Sequence, residues 1–237
     1  FLYKIKFMKL KLYSLILGLT TLIVAISTSY SHTDHYKNFK KIEMDIYKDG
    51  KIIGFSNYEF SSNSNELFVK NITEFKVKVL GVKVFSVFSN SEELYKNGNL
   101  IYFKSNTIQN NKKKYVNLKY EEDNNEFLID GSSYKGKAQK NTIIGNWWNH
   151  DILEAKSQIS PLSGSIKKQK VIFIGKELIK VYDKEYNTEH YRLLSDENIS
   201  EDRKLDFDIW YSKEKKIIVK ISYQKFGNWE YRLKSIK

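Results

Sequence analysis

The chain has no cysteine and only one proline among its 237 residues. Without cysteine it can have no disulfide, no thiolate metal ligand and no lipid-modified cysteine, so its stability must come from a packed core. Phosphate-binding glycine loops and the Gly-x-Ser-x-Gly nucleophile elbow are also absent from the sequence. No common catalytic or nucleotide-binding motif therefore identifies a function.

The longest apolar run lies near the N-terminus and predicts an export signal. Lys9 and Lys11 precede an apolar segment at 12–26, and small polar residues follow at 27–31. About 15 apolar residues are too few for a typical span of about 20, so residues 8–31 are interpreted as a cleaved secretory signal helix. Residues 1–7 are interpreted as an upstream extension.

This interpretation predicts one β-rich domain over residues 32–237, located in the periplasm. If the signal is not cleaved, the protein is instead anchored to the inner membrane, and the signal segment is then its only membrane contact. The net charge of +12 falls to +8 without the four lysines of residues 1–31. Acids are interleaved with the remaining lysines, so no nucleic-acid partner is predicted.

Apolar and polar residues alternate along most of the chain, which indicates strands with one dry and one wet face, as in antiparallel sheets. The clearest runs are 42–46, 75–79, 116–120, 205–211, 217–223 and 229–233. Asp49-Gly50 and Asn97-Gly98 predict tight hairpins, and further turns are predicted at 123–125, 130–131 and 227–228. We predict an all-β antiparallel meander of about twelve or thirteen strands, curled into a barrel or half-barrel.

Two stretches break the alternation. Residues 136–164 hold the pair Trp147-Trp148 and the only proline, Pro161. They are predicted to form an irregular insertion with a short helix near 151–156. Residues 194–203 are rich in acids and are predicted to form a solvated loop or helical turn. Long connections in compact domains are often functional, so the insertion is the first place to look for a site.

The aromatic residues of the insertion and of the C-terminal strands supply a candidate binding site. The candidate ligand-binding residues are Trp147, Trp148, Asn149, Trp210, Trp229 and Tyr231. Large aromatic side chains either fill a core or line an apolar cavity, and barrels of about eight or more strands can hold one ligand. In the second case the tryptophan pair would lie in a lid segment with Pro161 and Leu162.

No set of residues points firmly to catalysis or to a metal. A catalytic triad could be composed of His150 or His190 as base, Asp151 as the orienting residue and a serine at 163–165. Triads are defined by geometry, so composition alone does not establish one. The histidines lack companions at metal-ligand spacing, and no cofactor is predicted. His32, Asp34 and His35 could hold copper or zinc weakly, although a solvated tail is favoured there.

Paired carboxylates are the last catalytic candidates. Glycosidases need two of them at a fixed separation, and Glu92, Glu93, Asp206 and Asp208 are available. Asp206 and Asp208 share the polar face of one strand, where they are expected to be solvated. Whether the protein is an enzyme is left open, with a non-enzymatic role favoured.

Four segments resemble those of one uncharacterised family. They are Tyr47–Gly54 (Tyr-Lys-Asp-Gly-Lys-Ile-Ile-Gly), Glu93–Leu100 (Glu-Leu-Tyr-Lys-Asn-Gly-Asn-Leu), Asn146–Asn149 (Asn-Trp-Trp-Asn) and the aromatic-rich ending Asp208–Leu233. The chain resembles the exported bacterial proteins of domain-of-unknown-function family 6134, over about residues 39–233. The resemblance implies a periplasmic β-rich protein and transfers no catalytic or binding residue.

Taken together, these features predict a periplasmic β-barrel-like protein that binds an apolar or lipid-like ligand or serves an envelope assembly. Two alternatives stay open. One is a hydrolase that acts on an envelope polymer through residues 147–165. The other is a module whose basic surface binds anionic lipid or glycan.

Overall fold

A computed structural model describes residues 33–196 and 204–237 of the chain. The alternating runs form 15 strands of one sheet, accompanied by two short 3-10 helices at Asp34–Asn38 and His150–Leu153. The strands are β1 (Lys41–Lys48), β2 (Lys51–Ser62), β3 (Glu66–Val79), β4 (Val82–Lys96), β5 (Asn99–Gln109), β6 (Lys112–Glu121), β7 (Glu126–Gly131), β8 (Lys135–Gln139), β9 (Ile143–Ile144), β10 (Ser157–Ile159), β11 (Ile166–Val181), β12 (Lys184–Ser195), β13 (Asp206–Ser212), β14 (Ile217–Gln224) and β15 (Asn228–Ile236). No helix among the described residues is both long and apolar enough to cross a bilayer.

Most strands pair with their neighbours in sequence, and the order is β8-β7-β6-β5-β4-β3-β2-β1-β15-β14-β13-β12-β11-β10-β9. All pairs are antiparallel except β9 with β10. Because β1 pairs with β15, the first and last strands in sequence lie side by side in the middle of the sheet. The edges β8 and β9 are not paired with each other, so the sheet is open. The all-β antiparallel prediction is confirmed, whereas a closed barrel is not formed.

The prediction of about twelve or thirteen strands was too low, because β9 and β10 have only two and three residues and show no alternation. The turns at Asp49-Gly50 and Asn97-Gly98 are confirmed, with positive φ at both positions of each. The turn predicted at 130–131 is wrong, since β7 continues through Gly131. The short helix of the insertion begins one residue earlier than predicted and has four residues.

Residues 1–32 and 197–203 lie outside the described residues. The predicted signal at 8–31 and most of the predicted acidic loop at 194–203 fall there, as does His32 of the predicted weak metal site.

One face of the curled sheet carries the core, and its two ends differ. The pocket end has the turns at 49–50, 80–81, 110–111 and 226–227, and the plug end has the turns at 63–65, 97–98, 122–125 and 213–216. The larger hydrophobic cluster includes Tyr36, Phe60 and Trp148, and extends to the plug end. The smaller cluster consists of Ile46, Phe75, Val77, Val87 and Trp229, toward the pocket end.

Candidate functional site

Trp148 fixes the plug segment, residues 145–164, inside the curl of the sheet. Its side chain is only 1% exposed. Its ring makes edge-on contacts with Tyr36, Phe60 and Tyr95 at centroid distances of 4.8, 5.5 and 5.5 Å. Edge-to-face packing of this kind adds to the stabilisation from burial. Trp148 is therefore a core residue that closes the inner face near the plug end.

A buried carboxylate ties the plug segment to the sheet. Glu93 Oε1, on β4, accepts hydrogen bonds from Trp148 Nε1 at 3.0 Å and Asn146 Nδ2 at 2.8 Å. Glu93 Oε2 accepts one from the Tyr95 hydroxyl at 2.8 Å. Burial raises the pKa of Glu93 to about 7, although the three hydrogen bonds act in the opposite direction. Since these partners are neutral groups, Glu93 acts here as an anchor and not as half of a carboxylate pair.

The far end of the plug segment is fixed against β5 and β7. The Ser105 hydroxyl donates to the Pro161 carbonyl at 2.5 Å. A Cβ at Gly131 would lie 2.7 Å from the Ser163 carbonyl oxygen, closer than real Cβ contacts, so only glycine permits this approach. The plug segment is thus held at both ends, and the residues next to these two anchors can serve as a firm floor.

Above this floor a cavity of about 1190 Å³ opens toward the pocket end. Its walls come from the pocket-end halves of β2, β3 and β4 on one side and of β13, β14 and β15 on the other, and residues 145–147 and 160–162 form the floor. The volume slightly exceeds the range of about 300–1,000 Å³ found for drug-sized ligand sites. The inner face is therefore filled near the plug end, whereas toward the pocket end the smaller cluster leaves an open cavity.

The wall formed by β2, β3 and β4 carries hydroxyl and amide groups. Ser56 and Thr73 hydroxyls lie 2.7 Å apart, and Asn71 Nδ2 donates to the Ser56 hydroxyl at 3.1 Å. Ser89, also in this wall, bonds Thr107 at 2.7 Å. Sequence reasoning missed these residues. Thr73 alternates with Phe75 and Val77, and this signal could have placed it on the inner face.

The opposite wall and the rim combine aromatic residues with lysines, and three of the six predicted binding residues lie there: Trp147, Trp229 and Tyr231. The half-buried Trp147 ring lies 5.1 Å from Phe207 and 6.2 Å from Tyr231. Trp229 stacks on Tyr223 at 5.7 Å. The adjacent tryptophans therefore have different positions, because Trp148 fills the core while Trp147 faces the cavity.

The other three predicted residues do not line this cavity. Trp148 is in the core, and Asn149 caps the 3-10 helix by accepting from the Asp151 backbone N–H at 3.0 Å. Trp210 lies on the opposite face of the sheet, where it stacks on His190 at 4.6 Å and donates to Glu177 at 2.8 Å.

The residues of the predicted triad are held in separate groups. His150 Nδ1 and the Tyr36 hydroxyl are 2.9 Å apart, and the His150 ring stacks on Tyr211. His190 lies between Glu177 and Asp208, 2.8 Å from each. Ser163 hydrogen-bonds Ser160 at 3.4 Å. Hydrogen bonds between described residues therefore do not assemble a nucleophile and base.

Two of the remaining carboxylate candidates are engaged on the outer face. Asp206 forms a two-point ion pair with Arg192 at 2.9 and 3.0 Å, and Asp208 bonds His190. Within residues 33–196 and 204–237, no group of three or more His, Asp or Glu side chains is arranged to hold a metal ion.

The open curl of antiparallel strands around a cavity defines a β-barrel-like protein. The solved β-barrel-like protein of domain of unknown function DUF1849 from Brucella abortus has a similar fold, with a TM-score of 0.58 at 8% sequence identity. The match covers 83% of this chain and 96% of that protein. Residues 44–234 match the family described as domain of unknown function DUF6134, and the chain belongs to this family. No curated protein matches the chain.

Proposed function

We propose that this protein is a non-enzymatic binding protein whose open sheet holds an apolar or amphipathic molecule. The observation that carries the proposal is the cavity of about 1190 Å³, whose largely apolar and aromatic lining has hydroxyl groups on one wall. Ligand sites are typically concave and mostly apolar, with a few placed polar groups that set orientation.

The two walls suggest how a ligand would lie. Its hydrocarbon part would pack against Trp147, Trp229 and Tyr231, because apolar area removed from water stabilises binding. Its polar group would face the hydroxyls of Ser56 and Thr73 on the other wall. The floor needs little rearrangement, since Glu93 and Trp148 already hold it in place.

The direct test is native mass spectrometry of the purified protein, followed by denaturing extraction of bound molecules. We expect a co-purifying lipid or other apolar molecule. A complementary titration uses cis-parinaric acid, a fluorescent polyene fatty acid, in the absence of membranes. Saturable fluorescence enhancement supports the proposal, whereas no bound molecule and no enhancement would contradict it.

Two tryptophan substitutions on neighbouring residues of β3 make the titration specific. Thr73→Trp places a large side chain in the cavity, whereas Ile72→Trp places it on the outer face, where Ile72 is exposed. We expect Thr73→Trp to weaken parinaric acid binding by at least about tenfold and Ile72→Trp to leave it unchanged. Equal affinity in both variants would place the fatty acid outside the cavity. Thermal unfolding shows whether each variant is folded.

We also propose that the protein is exported to the periplasm by the signal at residues 8–31. The support is the basic, apolar and small-polar order of that segment. Cell fractionation with N-terminal sequencing tests it. A periplasmic product beginning near residue 32 is expected, a membrane-bound product that keeps residues 8–31 would indicate an anchor, and a cytoplasmic product would contradict export.

A further inference from the structure

The turn between β3 and β4 has an unusual residue for its backbone conformation. Leu80 and Gly81 have φ of 49° and 82°, nearly the values of Asp49-Gly50 and Asn97-Gly98 in two other hairpins. Asn, Asp and Gly tolerate positive φ, whereas a leucine there is sterically disfavoured. The Leu80 side chain is also 99% exposed, so packing does not explain it.

A second turn at the pocket end repeats this combination. Phe226 precedes Gly227, has φ of 51° and is 93% exposed. Tyr182 also has positive φ, but its hydroxyl donates to Asp45 at 2.6 Å and accepts from Tyr47, which accounts for its position. Two large apolar residues thus stand, without packing, where local preference favours Asn or Gly.

The strands next to Leu80 are apolar and basic. Val79 and Val82 are opposite each other and more than half exposed. Lys78 is directly opposite Lys83, an arrangement that destabilises a sheet unless an anion lies nearby. The described residues give neither lysine an ion-pair partner, and the sequence from residue 75 to 91 contains no acid.

The β5–β6 hairpin extends the basic character of the pocket end. Lys112, Lys113 and Lys114 follow its turn, and no acid occurs between residues 94 and 120. Beside the Phe226 turn lies Asp49, which accepts from the Asn228 backbone N–H at 2.8 Å and is paired with Lys48 at 2.7 Å. Exposed apolar tips flanked by lysines are suited to the interface of an anionic bilayer, where apolar groups enter the acyl boundary and lysines meet phosphates.

We propose that the turns at Leu80-Gly81 and Phe226-Gly227 insert into an anionic lipid bilayer and dock the pocket end on its surface. Val79, Val84 and Phe226 also line the cavity, so docking would bring its mouth to the lipid. Only this last step, transfer of an amphipathic molecule between bilayer and cavity, rests on the proposed function. Membrane contact would then not be limited to the N-terminal segment.

The absence of cysteine allows a local test in the full chain. Val82→Cys and Asn99→Cys place one thiol each at the same position after the glycine of the turn, at the pocket end and the plug end respectively. Each is labelled with an environment-sensitive fluorophore and mixed with vesicles of phosphatidylcholine, with or without phosphatidylglycerol. Lipid-borne quenchers report depth. Because this readout is local, membrane binding by residues 12–26 cannot imitate it.

We expect a blue shift and quenching at position 82 with phosphatidylglycerol vesicles, and neither change at position 99. Adding Leu80→Asn and Phe226→Asn to the position-82 protein should weaken its partitioning at least about tenfold, because the apolar side chains are lost. Lys78→Gln should weaken it about fivefold. No change at position 82, or equal changes at both positions, would overturn the proposal.

Analytical ultracentrifugation and vesicle-free parinaric acid titration complete the test. If Leu80→Asn abolishes self-association in solution and leaves the vesicle signal unchanged, the tips are a contact between copies and the proposal fails. Parinaric acid binding should survive Leu80→Asn, while the vesicle signal should survive Thr73→Trp. Loss of only one signal therefore distinguishes failure of docking from failure of the cavity proposal.

Discussion

The inner face of one sheet is packed near the plug end and open near the pocket end. Near the plug end, Trp148 and Glu93 join the plug segment to the strands through ring contacts and buried hydrogen bonds. Toward the pocket end the same strands continue past that floor as cavity walls. The difference shows that the alternating pattern sets which residues face inward, while a non-strand segment determines how much of the interior is filled.

The residue types in the turns also differ between the plug end and the pocket end. Plug-end turns use Asn97-Gly98 and the polar stretches 63–65, 122–125 and 213–216. The pocket end includes Leu80 and Phe226 at positive φ. Lys216, in the plug-end turn 213–216, also has positive φ, but the large apolar residues at positive φ in the turns of the two ends are both around the cavity mouth. Such conflicts in natural proteins are concentrated at functional sites.

The largest expected effect separates the two adjacent tryptophans. Trp148→Ala should lower the free energy of unfolding by about 3–5 kcal/mol, because it empties a fully buried site. Trp147→Ala should cost less than about half as much, since that side chain is half-buried and faces the cavity. Urea denaturation measures both. Equal losses would mean that Trp147 is as much a part of the core as Trp148.

A smaller effect concerns the pH dependence of the plug-end anchor. The pKa of Glu93 is about 7 in the folded protein against an ordinary 4.5, so the folded state keeps its proton longer. Its contribution to stability is present in full below pH 4.5 and is lost as pH rises to about 7, a change of about 3 kcal/mol.

Glu93→Gln tests this, since the amide oxygen can still accept from Trp148 and Asn146 while its NH₂ faces the Tyr95 hydroxyl. We expect the Gln variant to lose the stability change between pH 4.5 and 7, measured by urea denaturation at each pH. Glu92→Gln, one residue away, is the control and should keep the wild-type profile. A wild-type profile in Glu93→Gln would assign the pH dependence to other groups.

The smallest effect compares two turns of the same geometry. Leu80→Asn should raise the free energy of unfolding by up to about 1 kcal/mol, because asparagine tolerates positive φ better than leucine. Asn97→Leu should lower it by about 1–2 kcal/mol for the same reason. Thermal and urea unfolding measure both changes. Destabilisation by both substitutions would show that Leu80 has packing contacts that its exposure does not reveal.

Much of the sheet could be predicted from sequence, because period-two alternation and Asp-Gly or Asn-Gly turns are local signals. The same alternation, applied to Trp210, puts it on the polar face with Asp206 and Asp208, although the sequence analysis treats it as a cavity residue. The structure puts it there, stacked on His190. Pattern was a better guide than residue type at this position.

The candidate site could be predicted only in part. Trp147, Trp229 and Tyr231 were identified as aromatic residues, but their common position depends on the contact of the plug segment with β15, where Trp147 lies 6.2 Å from Tyr231. The role of Glu93 depends on contacts with residues more than fifty positions away. No local signal distinguishes a buried anchor of this kind from a solvated carboxylate.

The central pairing of β1 with β15 also has a consequence for folding. The Ser235 hydroxyl donates to Glu43, a residue 192 positions earlier, so the middle of the sheet joins the first and last strands. Contacts of such long range slow folding, because a large loop must close before they form. During synthesis, the two halves of the sheet can begin as separate meanders. They can be joined only after the last strand, β15, has emerged.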